Sequence, residues 1–563
     1  MIGIKQLQGG NMSSSQLLAT PNAHILIAAY WEHFHPALPI LHRATFNMQE
    51  PSLLVEIVVA VGSIYMATTL EGDSAASCLR MGQNLWEAGC NECQNLVRDG
   101  WTNWQQPAVL QVWILHIVYG TYMGYTAHYQ KAKNLLRSLV DYVQDHRLLA
   151  QSVVFPGQST WMHALAANTT YADEEELRYA WHSYVDEEST KLCMYTLQLL
   201  DFHTFYPCNL RCLTSAMDFD WALPHSAGLW EAENAGSWIE VLREDVRVQA
   251  MLDPDDHLCL PCPSTKSLSL AIQSLMSDAP SLHLLSALES SPITIIFLLT
   301  MLDALIRDLT RSLYQLPPAL ADPSPYHILS QNQNRQMAAA LQQVTRLAEE
   351  QPESSRRGVD GPVWTAIERL SLAIRLGLYK PDDLLIGGVI DSSVTAGLAA
   401  ATHLTLGRST GTRRSLRMLY QHNSGEDAVL LFLEEIVASL ESMLATSKTE
   451  AMREAPWVTV ASYRILLAIW RSLRWASSEM RRRAESNTQS HFDTSTLIFN
   501  TIIDTVSHRL EIRQDANGVP SPASVPGETC FSGAIHKFWT DRNTWTVGSS
   551  MVPILEEICS TGM

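Results

Sequence analysis

The sequence predicts an all-α fold, a large helical array. Apolar residues recur at helical spacing along most of the 563 residues. No regular series of alternating strands is visible, and no Asn-Gly or Asp-Gly hairpin joins two alternating runs. A hydrophobic fraction of 46% and a charged fraction of 17% are ordinary for a globular protein and exclude wholesale disorder.

Helix start signals and periodicity locate several elements of this array. Asp173 can cap the N-terminus of a helix, with Glu176 three residues later as its capping-box partner. The pair Ser291-Pro292 is typical of an N-cap followed by proline in the first turn. Two further amphipathic helices are predicted at Ala428–Met443 and Val458–Trp475.

The longest apolar runs predict buried helices that do not span a membrane. The first run contains Glu56, and the second contains Gln111 and His116. The third is far shorter than the roughly 20 residues that a bilayer requires. The runs are Leu53–Leu70, Ala108–Tyr122 and Ile293–Leu302.

Loop-like composition divides the chain. Residues 1–22 are polar and predict a disordered tail, and no secretory signal is visible there. A connector with prolines and cysteines is expected over 251–280. The helical segments 23–250 and 281–563 could form two packed lobes or one continuous array, and we favour the continuous array.

The charge balance limits what the chain can bind. Its formal net charge is -19, and an acidic surface repels phosphate unless a local basic patch is present. Arg413-Arg414-x-x-Arg417 and Arg481-Arg482-Arg483 could touch phosphate or an import receptor. We favour solvated helix faces or C-terminal turns, where positive charge suits the helix dipole.

The cysteines do not form a zinc-module pattern. Ten cysteines are sparse in a chain of this length and are consistent with reduced thiols. A structural zinc site needs four converging ligands, whereas the spacing gives only separate pairs. We therefore expect no metal site, with Cys90 and Cys93 as small buried residues on one helix. The pairs are Cys90/Cys93, Cys208/Cys212 and Cys259/Cys262.

A Gly-x-Ser-x-Gly pentamer is the one sequence motif that suggests catalysis. Ser409 is its central residue, and Thr402–Leu406 and Arg413–Tyr420 could pass as the flanking strand and helix. The parallel sheet that a nucleophile elbow needs is not predicted, and no oxyanion-hole motif occurs. We interpret the pentamer as a loop between helices, with a Ser409 hydrolase as the remote alternative.

The segment Tyr30–Phe46 is the most informative part of the sequence. A short apolar helix is predicted to enter a proline-stiffened turn, followed by the block Pro-Ile-Leu-His-Arg-x-Thr-Phe. It carries His33, His35 and His42, and the proline turn makes a metal-binding helix face unfavourable. This block resembles the opening of the fungal-specific transcription factor domain.

Further motifs follow in the order that this family shows. The segment Leu53–Leu70 contains the small residues of a family kink at Val61-Gly62-Ser63, and Val109–Leu149 loosely resembles the next two family helices. Thr190 departs from the family, which commonly has a second basic residue there. The remaining matches are Trp181, Glu188, Lys191, Leu200-Asp201, Leu223-Pro224, Leu229-Trp230 and Trp238.

The resemblance implies an all-α domain that acts through other proteins, dimerisation or ligand-dependent control of a DNA-binding module, without catalysis. It implies transcription machinery or other regulators as partners, a possible homodimer, and residence in the nucleus. The match begins too close to Met1 to leave room for the family's zinc module. We therefore expect DNA contact only indirectly or through a missing N-terminal module, with zinc only if an upstream finger module exists.

The leading hypothesis is a non-catalytic regulator of RNA polymerase II genes, serving a fungal specialised-metabolite gene set. The alternative is a helical interaction or scaffold protein that has lost DNA binding. No catalytic or cofactor-binding residue is predicted for either role, and no membrane partner is expected.

Overall fold

The structure is a computed structural model. It describes residues 21–48, 52–98, 107–123, 125–155, 161, 174–244, 265–314, 331–352, 361–379, 385, 389–390, 392–406, 426–486, 494–515 and 527–560. Helices dominate these residues, and the one β-type pairing among them is a single parallel bridge between Ala150 and Asp220. The predicted all-α class is confirmed.

The α-helices follow one another along the chain with short turns between many of them. In order they are α1 Pro21–Ala29, α2 Leu53–Ala67, α3 Gly72–Arg98, α4 Pro107–Tyr122, α5 Thr126–Asp145, α6 Gln151–Val154, α7 Glu174–Phe205, α8 Ala227–Trp230, α9 Ala235–Glu244, α10 Leu268–Leu275, α11 Leu282–Ser290, α12 Pro292–Tyr314, α13 Gln331–Glu349, α14 Gly361–Tyr379, α15 Val394–Leu406, α16 Glu426–Ala445, α17 Lys448–Arg453, α18 Pro456–Ser486, α19 Thr494–Asp515, α20 Gly527–Thr540, α21 Thr546–Ser549 and α22 Met551–Ser560. Helix α10 falls within the predicted connector 251–280.

The chain forms two compact units, each assembled from separate stretches. Unit 1 comprises residues 1–205, 211–301 and 346–364. Unit 2 comprises residues 206–210, 302–345 and 365–563.

Helix α2 lies at the centre of unit 1. The Ser52 side chain accepts a hydrogen bond from the backbone N–H of Val55 and caps its N-terminus. The helix is apolar on nearly all sides and packs against α1, α3 and α4. Because helices pack on several of its faces, most of Leu53–Ala67 is buried, as its apolar composition predicts.

Helix α7 is the longest helix of unit 1. Its first turn carries Glu174, Glu175 and Glu176, whose charges suit the positive end of the helix dipole. The predicted capping residue Asp173 lies outside the described residues. From Ala180 onward most of the helix is buried, including polar residues that hold the candidate site.

Helix α18 is the core element of unit 2. It packs against α15 and α19, and α19 in turn packs against α16 and α20. The amphipathic helices predicted at Ala428–Met443 and Val458–Trp475 are confirmed, since they lie within α16 and α18. Trp457 and Trp470 of α18 are fully buried, which accounts for the apolar spacing seen in the sequence.

Helix α12 begins at Pro292, directly after Ser291, as the sequence predicts. The Ser291 hydroxyl contacts the Thr294 hydroxyl at 2.8 Å. Within the described ranges, no single helix is long and apolar enough to cross a membrane. The pair Leu282–Ser290 and Pro292–Ser312, bent by 114°, reaches that length and apolarity only when taken together.

Candidate functional site

The opening motif is a buried packing segment of unit 1. Helix α1 passes into a π-helical turn, Tyr30–Phe34, and then a 3-10 turn, His35–Ala37. Tyr30, Phe34 and the leucine and isoleucine side chains of the motif are buried. The Gln111 amide donates a 2.7 Å hydrogen bond to the carbonyl of Ile40. The proline turn therefore directs the chain into the core, and Gln111, a polar residue inside an apolar run, holds it there.

The three histidines of this motif diverge. The His33 ring lies 5.5 Å from the Tyr65 ring, and the His35 ring meets Trp31 edge-on at 4.5 Å. His42 packs against the rings of Trp181 and Trp230, at 5.6 and 5.1 Å. The prediction that His42 belongs to a packing motif is confirmed. Over the described part of the chain, no group of three or more His, Cys, Asp or Glu side chains could hold a metal ion.

A buried ionic network joins two of the sequence motifs. The Lys191 ammonium donates to Oε2 of Glu188 at 2.7 Å, and both side chains are almost fully buried. Glu188 also accepts from the backbone N–H of His225 at 2.7 Å and contacts Nδ1 of His225 at 2.8 Å. Burial by itself would raise the pKa of Glu188, but the charges of Lys191 and His225 and their hydrogen bonds outweigh it and hold the pKa well below its usual range. The network clamps helix α7 to the segment after Pro224.

Aromatic rings enclose this network. Trp161 and Tyr184 lie 5.7 and 5.6 Å from the His225 ring. Trp238 completes the shell, 6.1 Å from Trp161 and 5.5 Å from Tyr184. The shell keeps water away from the ion pair, and so strengthens it. This shared environment explains why Glu188, Lys191 and Trp238 occur together in the sequence pattern.

Asp201 anchors the turn that follows α7. Its carboxylate accepts from the backbone N–H groups of Leu213 and Thr214 and from the Thr214 hydroxyl, at 2.7 to 2.9 Å. Burial, opposed by these hydrogen bonds, raises the pKa of Asp201 to about 6. The Leu-Asp motif is therefore a loop anchor.

A pocket opens in unit 1 beside the ionic network. The opening motif contributes His35, Pro36 and Pro39 to it, and α7 contributes Glu188 and Leu192. The segment 224–231, the start of α12 and Val363 of α14 complete the lining. The cavity itself is small, about 50 Å³, and its mouth opens to solvent. Motifs far apart in the sequence thus border one cavity.

The pocket combines apolar walls with a few polar groups, which is typical of a small-molecule site. Trp230 and Ile293 extend the apolar surface, and Glu231 lies exposed at the lining. Glu188 is occupied by Lys191 and His225, so it is poorly placed to act as a base. The arrangement is suited to binding.

The cysteines of the predicted pairs are free thiols where the structure describes them, and three of the four are buried. Cys90 and Cys93 lie on α3 and are fully buried, as predicted. Burial raises the pKa of Cys90 to about 11 and that of Cys93 to about 12, so both stay protonated at neutral pH. Cys208 is buried in unit 2, where its thiol lies 3.4 Å from the Ser393 carbonyl, and Cys212 is partly buried in unit 1.

Several sequence candidates lie outside the described residues. They are Ser409 with its glycine-bounded pentamer, the pair Cys259/Cys262 and the cluster Arg413/Arg414/Arg417. The other basic cluster is described: Arg482 and Arg483 pair with Glu479 at 2.7 and 3.2 Å near the C-terminal end of α18. Their position agrees with the interpretation as a C-terminal helical turn.

Two important residues went unrecognised in the sequence. His225 follows the Leu223-Pro224 motif directly, and a histidine next to that motif was the available signal. Trp161 carried no local signal, because its role depends on a 3.0 Å hydrogen bond from its indole N–H to Glu187 of α7. Contacts of this kind join distant parts of the chain and leave no periodicity.

Comparison with known proteins identifies a family. The sequence pattern described as the fungal specific transcription factor domain matches residues 27–346. A curated relative, zinc finger protein klf1 of Schizosaccharomyces pombe, is 22% identical over 242 residues, which is 41% of this chain. The chain matches 27% of that relative's length. No solved structure matches the chain significantly.

Proposed function

The chain belongs to the fungal specific transcription factor domain family, and we propose that it regulates a set of RNA polymerase II genes from within the nucleus. The family assignment supports a role as a fungal transcription regulator. The gene set we propose is one for specialised metabolism, and we propose that the chain acts without catalysing a reaction.

The observation that carries this proposal is the extent of the family match. It covers 27–346, more than half of the 563 residues. Within it, Glu188, Lys191 and Trp230 meet around the pocket and its ionic network. The pocket supports a role in binding. The Glu188 carboxylate is already bound by Lys191 and His225, so it is poorly placed for catalysis.

We propose that the chain reaches DNA through another protein or a separate module. The net charge of -19 opposes direct binding to phosphate. The curated relative is named a zinc finger protein, and we propose that a zinc finger module of this kind supplies the DNA contact. Transcription machinery, other regulators and a second copy of the chain are the proposed partners.

A reporter experiment tests the regulatory role. The full chain is fused to a heterologous DNA-binding domain and expressed in a fungal host with a reporter gene under the matching sites. Reporter transcription should change relative to the DNA-binding domain alone, and a tagged chain should accumulate in the nucleus. An unchanged reporter, with the fusion present at normal levels in the nucleus, would favour the scaffold protein that has lost its role at DNA.

A further inference from the structure

The pocket of unit 1 has a largely apolar wall. Pro36 and Pro39 line it from the opening motif, Leu192 from α7, and Trp230 and Ile293 from later segments. Prolines and the first turn of a helix are conformationally restricted, so the wall should keep its shape when a ligand binds. The apolar surface favours a ligand whose larger part is apolar. Because the cavity is only about 50 Å³ and its mouth opens to solvent, the ligand must be small and must lie partly in the mouth.

His35 supplies a polar group to this wall. Burial, together with the nearby Arg43 and His42, lowers the pKa of His35 to about 3. The imidazole is therefore neutral at physiological pH and carries a single N–H. Among the described residues, Nδ1 of His35 is buried and has no hydrogen-bond partner. Nε2 is not among the buried atoms without a partner, and since His35 lines the pocket, we infer that Nε2 is the nitrogen that meets a ligand.

The tautomer of the neutral His35 ring decides whether Nε2 is a hydrogen-bond donor or an acceptor. A buried N–H without an acceptor is rarer in proteins than a buried acceptor without a donor. The proton is therefore favoured on Nε2, with the lone pair on Nδ1. In this tautomer His35 presents a hydrogen-bond donor to the pocket, so the matching ligand group is an acceptor.

The charges around the pocket favour a neutral ligand. The Glu188 carboxylate is neutralised by the Lys191 ammonium at 2.7 Å. Glu231 is exposed at the lining, and its negative charge opposes an anionic ligand. The first turn of α12, which carries the positive end of a 23-residue helix dipole, also lines the pocket and favours an oxygen acceptor.

We propose that this pocket binds a small, neutral, mainly aliphatic molecule whose carbonyl oxygen accepts a hydrogen bond from Nε2 of His35. Ketones, lactones and esters share this chemistry. Binding needs only the pocket of unit 1, whereas any use of the ligand to control transcription rests on the proposed function.

Ligand-observed NMR on the purified full chain tests the site. Cyclohexanone is the probe, and cyclohexylamine and cyclohexanecarboxylate are ring-matched cationic and anionic controls. Cyclohexanone should show saturable binding, and both charged compounds should bind more weakly. Absence of saturable cyclohexanone binding, or tighter binding of the carboxylate, would overturn the proposal.

Three variants locate the binding. His35→Phe keeps an aromatic ring but removes the donor, and it should weaken cyclohexanone binding about 2- to 10-fold, the value of one neutral hydrogen bond. Ala227→Leu fills the pocket and should abolish binding, whereas Ala235→Leu, at the start of α9 and away from the lining, should leave it unchanged. Circular dichroism verifies that each variant is folded. Undiminished binding to folded Ala227→Leu would place the ligand elsewhere.

The two proposals fail separately. An inactive reporter fusion together with cyclohexanone binding removes the regulatory role and leaves the ligand site. An active reporter without any binding removes the ligand site alone.

Discussion

The Glu188–Lys191 pair shows how one buried contact organises a family motif. Both charges are nearly inaccessible to water, and His225 supplies a second and third contact to the same carboxylate. Desolvation of such a pair costs several kcal/mol and is offset only when the partners and hydrogen bonds are all present. Each member therefore depends on the others being retained.

Replacing one partner should be costly. We expect Lys191→Met to lower the free energy of unfolding by about 3–5 kcal/mol, because it removes the ammonium that neutralises the buried Glu188 carboxylate. Urea denaturation followed by circular dichroism measures the loss. The matched control is Arg178→Met: Arg178 pairs with Glu174 at 3.5 Å with side chains 62% and 89% exposed, so the loss should stay below about 1 kcal/mol. Equal losses for the two variants would contradict the role of burial.

His116 should make stability depend on pH. Burial lowers its pKa to about 4, whereas an unfolded histidine titrates near 6.5. Between these values the unfolded chain takes up a proton and the native protein does not. The contribution of His116 to the free energy of unfolding is therefore fully present above about pH 6.5. It is lost as the pH drops toward 4, which lowers the free energy of unfolding by up to about 3 kcal/mol.

Urea midpoints measured at pH 7 and pH 4.5 check this dependence. His116→Phe should lose less stability between the two pH values than the unaltered protein does. His182→Phe is the control, since His182 is exposed on α7, and its pH dependence should match the unaltered protein. An unchanged slope in His116→Phe would show that the acid sensitivity lies in other buried groups.

At the scale of elements, the packing of α1 against α2 depends on a glycine. The sequence pattern suggested a small-residue kink at Val61-Gly62-Ser63. The structure places the Leu26 carbonyl of α1 against Gly62, where an added Cβ would lie 1.9 Å from its oxygen. Only hydrogen fits between the two backbones, so the glycine serves close helix approach.

The matching prediction compares two helical glycines. Gly62→Ala should destabilise the protein by about 1–3 kcal/mol or more, because backbone atoms must separate. Gly533→Ala in α20 should stabilise it by about 0.5–1 kcal/mol, since nothing lies within 4 Å of the new Cβ and alanine favours the helix. Thermal unfolding midpoints of the two variants should move in opposite directions. A shift of both in the same direction would refute the close-packing argument.

Helix positions were largely predictable because the periodicity and capping residues that specify a helix lie within the helix itself or next to it. Periodicity predicted α16 and α18, and the Ser291-Pro292 pair predicted the start of α12. Helix α10 was missed because its eight residues stand within a region rich in prolines and cysteines. Local signals were present, since Ser267 caps this helix and its buried residues Leu268, Ile272 and Leu275 recur at helical spacing, but they extend over only two turns between loop-like segments.

At the scale of the whole molecule, two compact units share a chain of net charge -19. Unit 1 holds the motifs, the ionic network and the pocket. The described basic residues Arg482 and Arg483 are engaged with Glu479, which reduces their availability to phosphate.

We therefore expect the purified chain alone to bind DNA weakly and without sequence preference. An electrophoretic mobility shift assay with fungal promoter fragments at physiological salt should show no discrete complex. The control is the same chain fused to a heterologous DNA-binding domain, which should shift its cognate fragment. A discrete, sequence-specific complex with the chain alone would contradict indirect DNA contact.

The sequence by itself determined the fold class, the main helices and the family. These follow from helical periodicity, capping residues and ordered motifs, which are properties of neighbouring residues. Only the tertiary structure decided that the Glu188–Lys191 pair is buried beside His225, that Gly62 admits the Leu26 carbonyl, and that His35 lines a pocket. Those outcomes depend on contacts between segments far apart in the chain, where burial and distance set charge, proton position and available space.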